Sequence, residues 1–248
     1  MNQVPRWTAF TLAIALVGCA AQAPAVWADA KTAEATQGGE NKLDPDLQIV
    51  LAGMRMVEEG HPLEAIEGPF GDVIKRYEAK YAASDKKIYS ADGAREVLVY
   101  MMMAASAKPP VSAVALGPAW AAAYWGRGYA FNELGRHDDA IVELNKALEL
   151  APMDSQYNIE LAFAYQQKHE WERSLGLYRS AYAYAELSAD DVPEMQCKAL
   201  RGEGFNLVEL GHFDEARKAY RECLKLKPGE PKSVGELQYI DQQEHNGK

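Results

Sequence analysis

Small side chains recur at a fixed interval in the second half of this chain, and that interval limits its fold more than any other feature. Gly128 and Ala162 are 34 residues apart, and so are Ala140 and Ser174. Large residues lie between them. In Ala121 to Asp154 they are Tyr124, Phe131, Leu134 and Leu144; in Ser155 to Ser188 they are Tyr165, Trp171 and Tyr178, with Ala181 at a further small position. Antiparallel helices approach closely only where a small side chain faces a large one, because the ridges of one must enter the grooves of the other. Each stretch therefore reads as two short amphipathic helices joined by a tight turn, at Leu134-Gly135 in the first. Ala147 leaves room for the next pair, and Pro152 ends the unit.

A third stretch, Cys197 to Glu230, has Gly204, Leu207, Leu210-Gly211, Phe213, Ala216, Tyr220 and Pro228 in the same register. From Ser174 to Ala216 is 42 residues, so 42 − 34 = 8 are inserted. Ala189 to Gln196, acidic and containing a proline, reads as the lengthened loop. The pattern resembles the tetratricopeptide repeat, a helix–turn–helix unit of ~34 residues. Tyr124 stands where that family has Trp, Arg127 where it has Leu, and the second copy lacks the closing proline.

The resemblance implies an all-α fold, an α–α superhelix (solenoid) of helical hairpins, with repeats at 121–154, 155–188 and 197–230. It also implies peptide ligands held in a concave groove lined by the first helix of each repeat. Residues three or four apart share that face. They are Trp125, Tyr129 and Asn132, then Ile159, Phe163 and Gln166, then Arg201, Phe205 and Val208. An aromatic recurs at one repeat position: Tyr129, Phe163, Phe205. Such a column suits an extended or helical peptide, with rings giving area and amides gripping backbone. The alternative is that the rings pack against neighbouring helices. The basic and Asn residues of the family's chaperone-tail clamp are absent at the matching places, so that ligand is not expected.

Upstream, Met1 to Cys19 has a positive start and a short apolar core, Trp7 to Val17, which reads as a secretory signal. Leu16-Val17-Gly18-Cys19 resembles the bacterial lipobox, whose cleavage removes residues 1–18 and leaves Cys19 for lipid attachment; Ala20 then resembles an outer-membrane retention signal. Ala28-Asp29-Ala30 is the competing cleavage site and would release a free periplasmic protein. Residues 19–43, rich in Ala, Gln, Thr, Gly and Glu, read as a flexible tether.

Residues 44–118 read as a helical region. Gly53, Gly60 and Ala65 keep the repeat spacing, so Asp46 to Ala79 reads as a degenerate copy, its second helix interrupted at Gly68-Pro69. Asp85 to Ala119 reads as a further eroded unit: an apolar helix over Ala91 to Ala107, then Lys108 to Pro118, whose three prolines argue against a regular helix. Residues 231–248 read as a terminal helix and tail that cap the stack.

A net charge of −10 argues against nucleic acid as the partner. No G-x-S-x-G and no phosphate-binding glycine loop is present. His61, His137, His169 and His212 fall at or just after the turns of successive hairpins, on the order of 10 Å apart and too far to share a metal ion. No catalytic residue, cofactor or metal is therefore expected. Cys197 and Cys223 sit at adjacent ends of the third hairpin, so an oxidising compartment would allow a disulfide there; two separate thiols are the alternative. The reading favoured is a non-enzymatic protein-binding scaffold or assembly factor of the bacterial envelope, held to the outer membrane by lipid on Cys19. A self-associating structural subunit is the alternative, and an envelope enzyme with its site in Leu43 to Pro118 a minor one.

Overall fold

The computed structural model describes residues 43–188 and 191–246; the signal segment, Cys19 and residues 20–42 of the tether lie outside them. Three helical hairpins form the centre. They are α5 (Ala119–Glu133) with α6 (His137–Leu150), α7 (Ser155–Gln167) with α8 (Trp171–Ser188), and α9 (Val192–Glu209) with α10 (Phe213–Leu226). The last helix, α11 (Pro231–Asn246), packs on α10.

The turns and caps follow local chemistry. Gly135 (φ 69°) and Gly211 (φ 77°) take the left-handed conformation that ends α5 and α9. The matching turn of the middle hairpin uses His169, at φ 58°, a conformation costing about 1–2 kcal/mol for a residue with a Cβ. Asp154 caps α7 by accepting the Tyr157 N–H at 2.8 Å.

In the first and third hairpins the backbones meet at a glycine; in the second, Ala162 and Ser174 take that place, Ser174 Oγ donating to Ala162 O at 2.8 Å. A Cβ on Gly128 would lie 2.5 Å from Leu144 Cγ, and one on Gly204 would lie 2.7 Å from the Tyr220 ring. Leu144 and Tyr220 are fully buried and have nowhere to go. Arg127, where the repeat pattern has Leu, pairs with buried Glu143 across the first hairpin at 3.3 Å.

The same device continues upstream. Helix α1 (Pro45–Glu58), capped by Asp44, runs antiparallel to a second helix made of α2 (Pro62–Ala65), a π-turn (Ile66–Phe70) and α3 (Gly71–Tyr81). Pro69 does not interrupt this helix as its sequence suggests; the wider π-turn accommodates the proline ring and its missing N–H. The buried Phe70 ring sits between two glycines: a Cβ would approach it to 2.6 Å from Gly53 on α1 and to 2.5 Å from Gly126 on α5.

Residues 87–116 do not form an eroded repeat. They form a β–α–β unit of β1 (Lys87–Ser90), α4 (Ala94–Ser106) and β2 (Ala113–Leu116). The strands are parallel, in register from Lys87 with Ala113 to Ser90 with Leu116, and α4 is the crossover that parallel strands require. Pro109 and Pro110 precede β2 and Pro118 follows it, so the ladder lies between residues that cannot donate to it. Tyr89, Ala91, Tyr100 and Ala104 join sheet to helix in a small core that includes Met153, between α6 and α7. Ser90 Oγ donates to Gly117 O at 2.8 Å, and Arg95 Nη1 to Glu186 O at 3.0 Å.

The insertion before the third hairpin is also not a long loop. It lengthens the helices on either side: α8 and α9 have 18 residues each, against 14 in α6 and 15 in α5. Asp191 caps α9 by accepting the Glu194 N–H at 3.0 Å, and Pro193 lies in the first turn, where its missing donor costs nothing. No helix among the described residues is long and apolar enough to cross a membrane.

Two glycine substitutions separate close approach from helix propensity. Gly128→Val forces its methyls into Leu144 and should lower unfolding free energy by about 2–3 kcal/mol in urea titration. Gly176→Ala, on an open face of α8, should raise it by about 0.5–1 kcal/mol. Equal effects would refute close approach as the organising contact.

Candidate protein-binding face

The first helix of each hairpin supplies the face that the repeat pattern nominates. Four of its nine candidate residues do not line an open groove: Trp125, Tyr129, Asn132 and Ile159 are buried. The reason is the position of α5, enclosed by α1, the 62–81 helix, β1, α6 and α7. Trp125 stacks on Tyr129 and Tyr157, with centroids 6.0 and 5.9 Å away. Asn132 Nδ2 donates to Glu160 O at 3.2 Å, tying α5 to α7.

The other five, Phe163, Gln166, Arg201, Phe205 and Val208, remain in contact with solvent, Phe205 most, at 36 % exposure. Phe163 meets the His137 ring edge-on, centroids 6.3 Å apart, and Phe205 packs at 6.2 Å on Trp171. His137 and Trp171 are each the first residue of the second helix in the preceding hairpin. The aromatic column is therefore a joint between successive hairpins, with one edge of Phe163 and Phe205 left outside. Gln166 Oε1 accepts from the Tyr178 hydroxyl at 2.8 Å. Arg201 pairs with Glu230 at 3.6 Å.

Sequence reasoning missed a polar chain alongside. Lys198 Nζ donates to Gln156 Oε1 at 3.3 Å, and Gln156 Nε2 to Glu160 Oε1 at 2.7 Å. Gln156 and Lys198 are both the second residue of their repeat, 156 − 155 = 198 − 197 = 1, and that shared place was the available signal.

Three carboxyls are held well above their ordinary range. Burial pushes Glu160 to about 7, opposed by Lys198. Burial also pushes Glu96 on α4 to about 7, opposed by the Asp92 N–H that its Oε2 accepts at 2.6 Å. Asp154 rises to about 8, first from burial and then from the charges of Glu96 and Asp92, against the pull of its Tyr157 cap bond. In the unfolded chain these groups titrate near 3.8–4.5. The fold thus holds protons that the unfolded chain releases, and their stabilisation is complete below about pH 4 and lost as pH rises through 7–8. Urea midpoints should fall from pH 5 to pH 8, and Glu96→Gln with Glu160→Gln should flatten the slope. A midpoint rising over that range would contradict the buried-acid account.

At the far end of the face Cys197 and Cys223 are buried and joined in a disulfide, Cα atoms 4.4 Å apart. Together with Glu230 they are a trio whose metal-binding atoms lie within 4.8 Å of one another, but the two sulfurs are committed to their own bond. Arg201 Nη1 donates to Cys197 Sγ at 3.6 Å and Ser233 Oγ to Cys223 Sγ at 3.2 Å. Unreduced, denatured protein should leave both cysteines unalkylated, and reduction should cost about 2–4 kcal/mol of stability. Two labelled thiols at 197 and 223 before reduction would rule the bond out.

Stacked antiparallel helical hairpins joined by small–large contacts define an α–α solenoid of repeats. Models of the tetratricopeptide repeat family match residues 121–153 and 197–230. The chain is a tetratricopeptide repeat protein. Among solved structures, Pseudomonas aeruginosa pilF is 12 % identical with a TM-score of 0.56, over 81 % of this chain and 69 % of that one. A double mutant of MamA RS-1 is 14 % identical with a TM-score of 0.52, over 81 % and 86 %. The first tetratricopeptide domain of Spaghetti (RPAP3), solved with an HSP90 peptide, is 23 % identical with a TM-score of 0.44, over 50 % and 91 %. At these identities the likeness is one of fold. No curated protein matches the chain in sequence.

Proposed function

We propose that this protein is a non-enzymatic scaffold of the bacterial envelope that recruits a protein partner through the open end of its repeat face. The observation that carries this reading is the exposed edge of Phe205 beside Phe163, with Gln166 and Arg201 alongside on α7 and α9. Rings that are already fixed by packing lose little freedom when a ligand covers them, and flanking amide and guanidinium groups can hold a peptide backbone. The shifted carboxyls support the non-enzymatic reading. Asp154 caps a helix, Glu96 accepts a backbone N–H and Glu160 accepts from Gln156, so each is spent on structure.

The leader supports export: a positive start, the apolar core Trp7 to Val17, and Leu16-Val17-Gly18-Cys19 directly after it. In this reading lipid on Cys19 holds the chain to the outer membrane, facing the periplasm.

A photo-crosslinker at position 205 or 163 in cells should trap one protein that is not trapped from position 142, an exposed site on α6. The same products from all three positions would overturn the reading, and a trapped second copy would favour self-association. Labelled fatty acid should enter the wild-type chain and not Cys19→Ala; equal labelling of both would remove the anchor.

A further inference from the structure

The two-stranded sheet keeps one edge unpaired. Strand β1 lies against α5 and α6, whereas β2 lies against β1 and α4, so β2 is the strand further from the repeats. The ladder between them opens with Lys87 N–H donating to Ser112 O at 2.8 Å and closes with Ala91 N–H donating to Leu116 O at 2.9 Å. In a parallel ladder alternate residues of a strand turn their backbone groups toward the partner. With this register Val114 and Leu116 serve β1, and Ala113 and Ala115 turn N–H and C=O to the outer side. Among the described residues no bond reaches those four groups. All four residues of β2 are half-buried, so the edge is open and not enclosed.

An open edge is a template for another strand, and proteins commonly block it with lysine, proline or a bulge. From Val111 to Gly117 there is no charge and no proline, and the register runs without a bulge.

Symmetry and charge identify the occupant. The outward groups belong to two residues, one on each side of Val114. Turned by a half-rotation about Val114, the edge matches itself: Ala113 exchanges both its bonds with Ala115 of a second copy, and Ala115 with Ala113 of that copy. All four groups are then satisfied, in an antiparallel pair, which is the pairing that a two-fold axis through a sheet demands. Such an axis brings every charge near its own kind, and this chain carries a net −10. The strand lies within the longest uncharged run of the described chain, Pro109 to Gly126, so two copies meet there without like charges in contact. The half-turn also carries the second repeat stack to the opposite side. Helix α4 packs on both strands. With strands about 4.8 Å apart, the two copies of α4 would lie side by side at about 10 Å, the distance of packed helices.

We propose that this chain forms a two-fold dimer by antiparallel pairing of β2 with β2 of a second copy, centred on Val114, to give one four-stranded sheet. The pairing uses neither Phe163 nor Phe205 and does not depend on the envelope reading, and it leaves the open end of the repeat face free in both copies.

The test uses the full chain with Cys19→Ala, in which Cys197 and Cys223 are bonded to each other and do not react. The register makes a sharp demand on added thiols. Facing residues at the centre of the pair have Cα atoms about 4.5 Å apart, within disulfide reach. Residues 116 of the two copies would be offset by four positions, about 13 Å. Under a mild oxidant Val114→Cys should therefore form linked dimer at least tenfold faster than Leu116→Cys. Association through the apolar stretch Trp7 to Val17 would not separate the two. Ala115→Pro removes an outward N–H and none of the bonds to β1, a place where an edge strand tolerates proline. In sedimentation equilibrium it should be monomeric at concentrations where the parent is dimeric, with an unchanged urea midpoint. A parent chain that stays monomeric, equal linking at 114 and 116, or an Ala115→Pro chain that is folded and still dimeric overturns the proposal. So does a photo-crosslinker at 114 that traps only a different protein in cells, which would assign the edge to a foreign strand.

Discussion

Closeness of helix backbones is the constraint from which the rest of this molecule follows. Where Gly128 faces Leu144 and Gly204 faces Tyr220, a single added methyl group would have no space. Buried interiors are packed at crystal-like density, so such contacts leave few alternative arrangements. The Phe70 ring extends the principle across hairpins, filling the space between Gly53 and Gly126. That contact joins the divergent 45–81 hairpin to the recognisable repeats. It also closes α5 in on another side, which decides what α5 can present to a partner.

The aromatic column shows one set of side chains serving packing and presentation together. Phe163 on His137 and Phe205 on Trp171 make the same joint between successive hairpins. The joint fixes the ring planes, and the exposed edges become a pre-organised surface. At Tyr129 the enclosure of α5 removes that edge, so the face is sealed at one end and open at the other. A partner would therefore contact the second and third hairpins, where the accessible rings, the Lys198–Gln156–Glu160 chain and Arg201 all lie.

The β–α–β unit changes the chemistry of the stack beneath it. Its helix brings Glu96 near Asp154, the cap of α7, and each raises the proton affinity of its surroundings in a site already depleted of water. The docking of this unit is thus linked to protonation as well as to the apolar core of Tyr89, Tyr100, Ala104 and Met153. Its outer surface is free of that role, which leaves Leu98 and Met102 without a structural reason within the described chain.

The 34-residue recurrence of small residues determined the hairpins, their turns at Gly135 and Gly211 and the order of the stack, because close helix packing needs a missing side chain at set places. The enclosure of Trp125 and Tyr129 was legible too: Ala119 to Asn132 has a single charged residue, Arg127, and a helix without a polar face must be covered. Other features depended on contacts between distant residues. Strands of four residues, with 22 residues between Ser90 and Ala113, have no local signal for pairing, since each is specified by the other. The inserted residues before the third hairpin could have formed a loop or longer helices with equal local propriety, and packing of α8 on α9 decided it. Which rings are buried and which keep an open edge is likewise a property of the assembled stack, because exposure depends on what lies opposite.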